Sequence, residues 1–141
     1  MVARIRVLVD LTVVLDVLQS REPFYASSAQ ALATMGTGAA EGAIAAHAVT
    51  TLFYLIAKNG TAEKVRATLT ELMRFLSIAT VDKEVIEEAL KLPYRDFEDA
   101  VQMVAAVHDG AQYLITRNPQ HYQLGPLPAL RPVEFLALLG A

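Results

Sequence analysis

The chain has 141 residues, 54% of them hydrophobic and 19% charged, with a net charge of −3. That length and composition suit one domain with its own core and exclude a disordered chain, while the complete absence of cysteine excludes disulfides, thiolate metal sites and cysteine nucleophiles and fits a reducing cytoplasm. No basic run is present, where a nucleic-acid binder that works by bulk electrostatics would normally show a basic patch, so any such contact must be local, transient or bridged by cations.

Arg4 to Asp10 reads as a buried strand that ends on an acid, and Thr12 to Leu18 has helical spacing with Val14, Leu15 and Leu18 on one face. Pro23 opens a second helix that runs to Gly36, with Phe24, Ala31, Leu32 and Met35 as its apolar side and Gly36-Thr-Gly38 as its close. Gly42 to Ala46 reads as a second strand and Thr50 to Ala57 as a helix ended by Lys58-Asn-Gly60. Thr61 caps the next helix, whose Val65, Leu69, Leu72, Met73 and Leu76 recur at three to four residues. Ser77 to Val81 reads as a third strand, and Asp82 caps a helix that reaches Leu92. Beyond Pro93, Asp96 begins a helix striped by Phe97, Ala100, Val101, Val104 and Val107, which Gly110 ends. Ala111 to Thr116 is a fourth strand, Leu130 marks a short fifth, and Pro132 starts a last helix over Val133 to Leu139.

Apolar strands alternating with helices predict a single α/β domain over residues 1–141, with a parallel sheet covered on both faces. No signal peptide is expected, because Met1 to Ile5 leads into a strand-like run broken by Asp10. The longest nearly uncharged stretch, Ala43 to Ala57, is shorter than the roughly 20 residues of a spanning helix, so a soluble protein with no membrane contact is expected.

Sheets of this kind place ligands outside the carboxyl ends of their strands, where the strand order switches. Asp10 stands at such an end, where it either faces the crevice or caps the following helix. Asp96 is a good cap, and an acid three residues on, Asp99, can close a capping box. One carboxylate satisfies a cap, however, and Asp99 lies close to the buried stripe, where a charge needs a cation. Glu98 is expected to face solvent. Thr116 and Asn118 end the fourth strand, where Asn-Pro also suits a turn. Asp16, two turns into the first helix, reads as a surface or packing-supported acid. His47, His108 and His121 form no pair at ligand spacing, and neither a phosphate-binding glycine loop nor a Gly-x-Ser-x-Gly is present.

Val7-Leu-Val-Asp-Leu-Thr-Val-Val-Leu-Asp-Val-Leu18, Asp96-Phe-Glu-Asp-Ala100 and Tyr113-Leu-Ile-Thr-Arg-Asn118 resemble the three signature blocks of a PIN domain, and the resemblance spans almost the whole chain. It implies a three-layer α/β/α sandwich with a central parallel sheet of four to five strands, and an acidic crevice that binds Mg²⁺ or Mn²⁺. It further implies a cytoplasmic ribonuclease that cleaves RNA phosphodiester bonds, with a homodimeric state and a protein antitoxin as partner. Carried across residue by residue, Asp10 and Asp99 match the catalytic acids, and Asp96 joins them as a metal ligand. Thr12, Thr116 and Asn118 support them, and Arg117 is a substrate contact. Two positions depart from the family pattern: Thr51 stands where a glutamate is usual, and Asn118 where a fourth acid is usual. Two acids still suffice for one hard divalent ion, which keeps several waters. A catalytically impaired PIN domain, acting as an interaction module, is the alternative that these departures imply.

Overall fold

The computed structural model describes residues 4–140. Five strands form one parallel sheet: β1 (Arg6–Val9), β2 (Glu41–Ala45), β3 (Leu76–Ala79), β4 (Tyr113–Ile115) and β5 (Ala129–Leu130), in the order β3-β2-β1-β4-β5. The chain builds leftward from β1 to β3 and then crosses back to lay β4 on the other side of β1. The order therefore switches between β1 and β4, where Leu8 pairs with Leu114 and Val9 with Ile115. Val7, Leu8 and Val9 have no exposed surface, as expected for the central strand of a sheet covered on both faces.

Seven helices cover it: α1 (Leu11–Leu18), α2 (Tyr25–Gly36), α3 (Ala46–Ala57), α4 (Ala62–Leu72), α5 (Lys83–Ala89), α6 (Phe97–His108) and α7 (Pro132–Leu138). The helix α2 packs on α1, α7 and β2, whereas α6 packs on α5 and lies across β1 to β4. The result is the expected three-layer α/β/α sandwich with five strands. Thr61 and Asp82 cap as their positions predict, accepting from Lys64 N at 3.2 Å and Val85 N at 3.0 Å. Gly110, at φ 81°, supplies the left-handed turn that ends α6.

Three local expectations change. The helix expected from Thr50 begins at Ala46, because β2 runs directly into it with Ala45 at the cap position, where no side-chain oxygen signals a start. Leu76, counted with the stripe of α4, opens β3 instead. In α6 the ends of the expected stripe, Phe97 and Val107, are exposed, while Ala100 to Ala106 are all buried, Gln102 and Met103 among them. A helix covered by the sheet on one side and by α5 and a 3-10 turn (Pro119–Tyr122) on others buries most of its circumference, so a single stripe under-describes it.

Candidate active site

The first acid is placed by the end of β1. Asp10 N donates to Ile115 O of β4 at 2.8 Å, which turns the carboxylate into the notch between the two strands, where it is 4% exposed. It caps α1 and is saturated: Oδ1 accepts from Thr12 N at 3.3 Å and Gln102 Nε2 at 3.1 Å, and Oδ2 from Thr12 Oγ1 at 3.1 Å and Thr116 Oγ1 at 2.7 Å. A carboxylate has about four lone-pair sites, and these donors fill them. Thr12 and Thr116 thus hold Asp10, as the sequence places them, and Thr116 Oγ1 also accepts from Asn118 N at 3.1 Å.

The second acid comes from the start of α6. Asp96 Oδ1 takes the amides of Glu98 at 2.8 Å and Asp99 at 3.4 Å, so one residue does the capping. Asp99 does not complete a capping box; its Oδ1 accepts instead from the Tyr122 hydroxyl at 3.0 Å. One turn along α6, Gln102 ties the two acids together, because its Nε2 also donates to the Tyr122 hydroxyl at 3.0 Å and its Oε1 accepts from Leu11 N at 3.3 Å. Asp10 and Asp99 are therefore joined through two side chains, Gln102 and Tyr122. The sequence reading contains neither of these links. Gln102 lies at i+3 from Asp99, a helical spacing that the sequence displays, but nothing local announces the reach of Tyr122.

The electrostatics follow from this burial. The Asp99 carboxyl is pushed up to about 6, chiefly by burial; the Tyr122 hydrogen bond and His121 pull it down, while Asp96 and Asp10 push it further up. Its Oδ2 faces His121 Nδ1 at 3.9 Å. The Tyr122 phenol, 2% exposed, is held far above its ordinary range by burial and then by the two flanking carboxylates.

Other residues singled out by the sequence lie around this pair. Asp96 is exposed and committed to its cap. Among the described residues the one trio of candidate ligands within 4.8 Å is Glu84, Glu88 and His108, an exposed group explained by the 2.8 Å contact of His108 with Glu88. Asp10, Asp96 and Asp99 are thus not gathered round one point. Asn118 Oδ1 receives Gln120 Nε2 at 3.4 Å. Arg117, expected at the substrate, turns the other way: it pairs with Asp16 Oδ1 at 3.1 Å and lies over the Phe24 ring at 4.3 Å. Asp16 is fully buried rather than superficial, and burial raises its pKa against the pull of Arg117.

Glu98 also departs from expectation. It is half-buried, and its Oε2 lies 3.3 Å from Thr51 Oγ1 on α3. One turn back on α3, His47 has both ring nitrogens buried without a hydrogen-bond partner among the described residues, and burial lowers its pKa. Thr51, where the family resemblance leads one to expect an acid, therefore has a carboxylate brought to it by α6.

The donors fit a hard divalent cation. All are oxygens; the buried Asp10 and the partly buried Asp99 are linked through Gln102 and Tyr122; and the raised Asp99 marks negative charge with little compensation. Asp99 Oδ2 is the oxygen best placed to receive an ion, while Asp10 must yield one of its longer hydrogen bonds to join it.

A PIN domain family model matches residues 6–120. "Ribonuclease VapC1" of Aquifex aeolicus (strain VF5) is 24% identical over 122 residues, covering 83% of this chain and 84% of that protein. Among solved structures, a toxin–antitoxin complex from Klebsiella pneumoniae matches with TM-score 0.67 and 21% identity, over 89% of this chain and 97% of that one. VapBC-1 from nontypeable Haemophilus influenzae matches with TM-score 0.69 and 12% identity, over 92% and 99%.

Proposed function

The chain belongs to the PIN domain family, and on that premise we propose that it is a metal-dependent ribonuclease whose ion is held at Asp99 and Asp10. The observation that carries this reading is geometric: Asp10, at the carboxyl end of β1, and Asp99, on the first turn of α6, are brought together through Gln102 and Tyr122. The chemistry supplied by Mg²⁺ or Mn²⁺ bound there is polarisation of the scissile phosphate and acidification of a water for in-line attack. The chain's residues do the positioning. Thr12, Thr116 and Gln102 fix both oxygens of Asp10, and Tyr122 holds Asp99 by Oδ1 with Oδ2 towards His121. Glu98, held at Thr51, adds negative charge on the side where the family's usual glutamate is missing. RNA as substrate is supported by the likeness to a ribonuclease. A protein antitoxin as partner, and action in the cytoplasm as the toxin of such a pair, are proposed on the likeness to a toxin–antitoxin complex. No helix among the described residues is long and apolar enough to cross a membrane.

The test is Mn²⁺-dependent cleavage of single-stranded RNA by wild type and Asp10→Asn in matched preparations. Wild type cleaves and Asp10→Asn does not, while its circular dichroism is unchanged. Equal cleavage by both would refute the assignment. The second reading, a metal-binding interaction module without cleavage, is favoured by Thr51 and Asn118 in place of acids; it wins if wild type binds Mn²⁺ but leaves RNA intact.

A further inference from the structure

Beside Asp99 a cleft of about 730 Å³ opens, lined among others by Tyr94, Arg95, Asp96, Phe97, Gln120 and His121. We propose that this cleft is a nucleobase pocket, in which one base of a single-stranded RNA stacks on Phe97 and so presents the adjoining phosphodiester to Asp99. The proposal rests on the ribonuclease reading and names how its substrate is held.

The volume suits a nucleoside, since small-ligand pockets span roughly 300–1,000 Å³. Phe97, at the first position of α6, lines the cleft and is 45% exposed, so its side chain is open to a stacking partner. Arg95 is exposed, and the salt bridges among the described residues leave it free to meet a backbone phosphate at the rim. The amides of Gln120 and Gln123 can each donate and accept, which lets them meet a base edge. Inside the cleft, Asp96 and Asp99 repel a phosphate. A neutral base therefore belongs there, and its phosphate would approach Asp99 only where a bound cation offsets that charge. A chain of net charge −3 without a basic stripe has few other ways to hold RNA, and stacking is one that does not depend on sequence.

The back wall is built to stay put. Tyr94 donates to Tyr122 O at 3.0 Å and meets the Tyr122 ring edge-on at 6.0 Å and 85°. A Cβ at residue 125 would run into the Tyr94 hydroxyl and the tip of Met103, so Gly125 is what admits this packing. Tyr122 is also the donor to Asp99, so pocket wall and acid share one support.

The test pairs an abasic scan of a cleaved RNA oligonucleotide with Phe97 variants, reading binding by anisotropy in an Asp10→Asn background so that the RNA stays intact. One abasic position next to the scissile bond should weaken binding on the order of tenfold. Phe97→Ala should weaken the intact oligonucleotide by the same factor and have no further effect on the abasic one, and Phe97→Trp should restore binding. The same variant with Asp10 present should show its loss in KM rather than kcat. Wild-type binding by Phe97→Ala, with cleavage by the Asp10 protein retained, overturns the pocket and leaves the ribonuclease reading standing; a loss confined to binding a protein partner also overturns it. Neither binding nor cleavage of RNA by the wild type overturns both.

Discussion

In metal-free protein, Asp99→Asn should stabilise the fold at neutral pH and lose that advantage in acid. Folding raises the Asp99 pKa from 3.8 to about 6, so between those values the folded chain holds a proton that the unfolded chain has released. Stability from this group is therefore greatest below about pH 4, falls as pH rises towards 6, and stays low above that. At about 1.4 kcal/mol per unit, the shift sets an upper limit of about 3 kcal/mol. The side chain retains 18% exposure, and water reaching Oδ2 relieves part of the cost, so about 1–3 kcal/mol is the expected penalty of the charged form. Asn carries no charge and keeps an oxygen to accept the Tyr122 hydrogen bond, so the substitution removes the penalty and little else. Urea denaturation with a chelator at pH 4, 6 and 7.5 measures the difference. Asp99→Asn should be more stable by that amount at pH 7.5 and equal within error at pH 4. Adding Mn²⁺ should stabilise wild type and not the variant, because only the wild type gains from binding linkage. A variant less stable than wild type at pH 7.5, or a difference that ignores pH, would refute the claim that Asp99 is an under-compensated buried charge.

Tyr122→Phe removes the donor to Asp99 and the acceptor for Gln102. It should cost about 1–2 kcal/mol in urea and move the Asp99 carboxyl titration, read by carbon-detected NMR, to higher pH; an unmoved titration would mean that the bond does not form. Arg117→Ala strands the buried Asp16 carboxylate. The loss should be about 2–4 kcal/mol, less than for a fully buried pair because Arg117 is partly exposed, with part recovered by Asp16→Asn in the same chain. Thr51→Glu would set a second carboxylate against Glu98, so it should destabilise metal-free protein by about 1 kcal/mol, with Mn²⁺ restoring more stability to it than to wild type. Equal stability with and without the ion would show that residue 51 does not face the site.

Much of the fold is legible because its signals are local. The apolar run ending at Asp10, the caps at Thr61, Asp82 and Asp96, and the glycine closing α6 each act within one helical turn, and each falls where the sequence puts it. The missing signals have physical reasons as well. The start of α3 is silent because alanine at its cap position offers no oxygen. The pairing of Arg117 is silent in the sequence because its partner, Asp16, is separated by 101 residues along the chain, and β4 lying beside β1 brings their elements together. The same pairing joins Asp10 to Thr116, a contact that the strand-end rule does foresee.

Glu98 shows most clearly what position in a sequence omits. Placed between a cap and a candidate ligand on the first turn of a helix, it reads as one more solvated charge. That turn, however, packs beside the start of α3, and Thr51 is there to meet it at 3.3 Å. The family resemblance leads one to expect an acid at residue 51, and the fold brings a carboxylate of another helix to the threonine found there. The Asp96-Phe-Glu-Asp99 run thus divides its work by direction: Asp96 turns back to cap, Phe97 looks out over the cleft, Glu98 reaches across to α3, and Asp99 points in to Tyr122. Successive residues on a helix differ by about 100° in direction, so three acids in four positions serve three different surroundings, and their number alone says little about how many can share one ion.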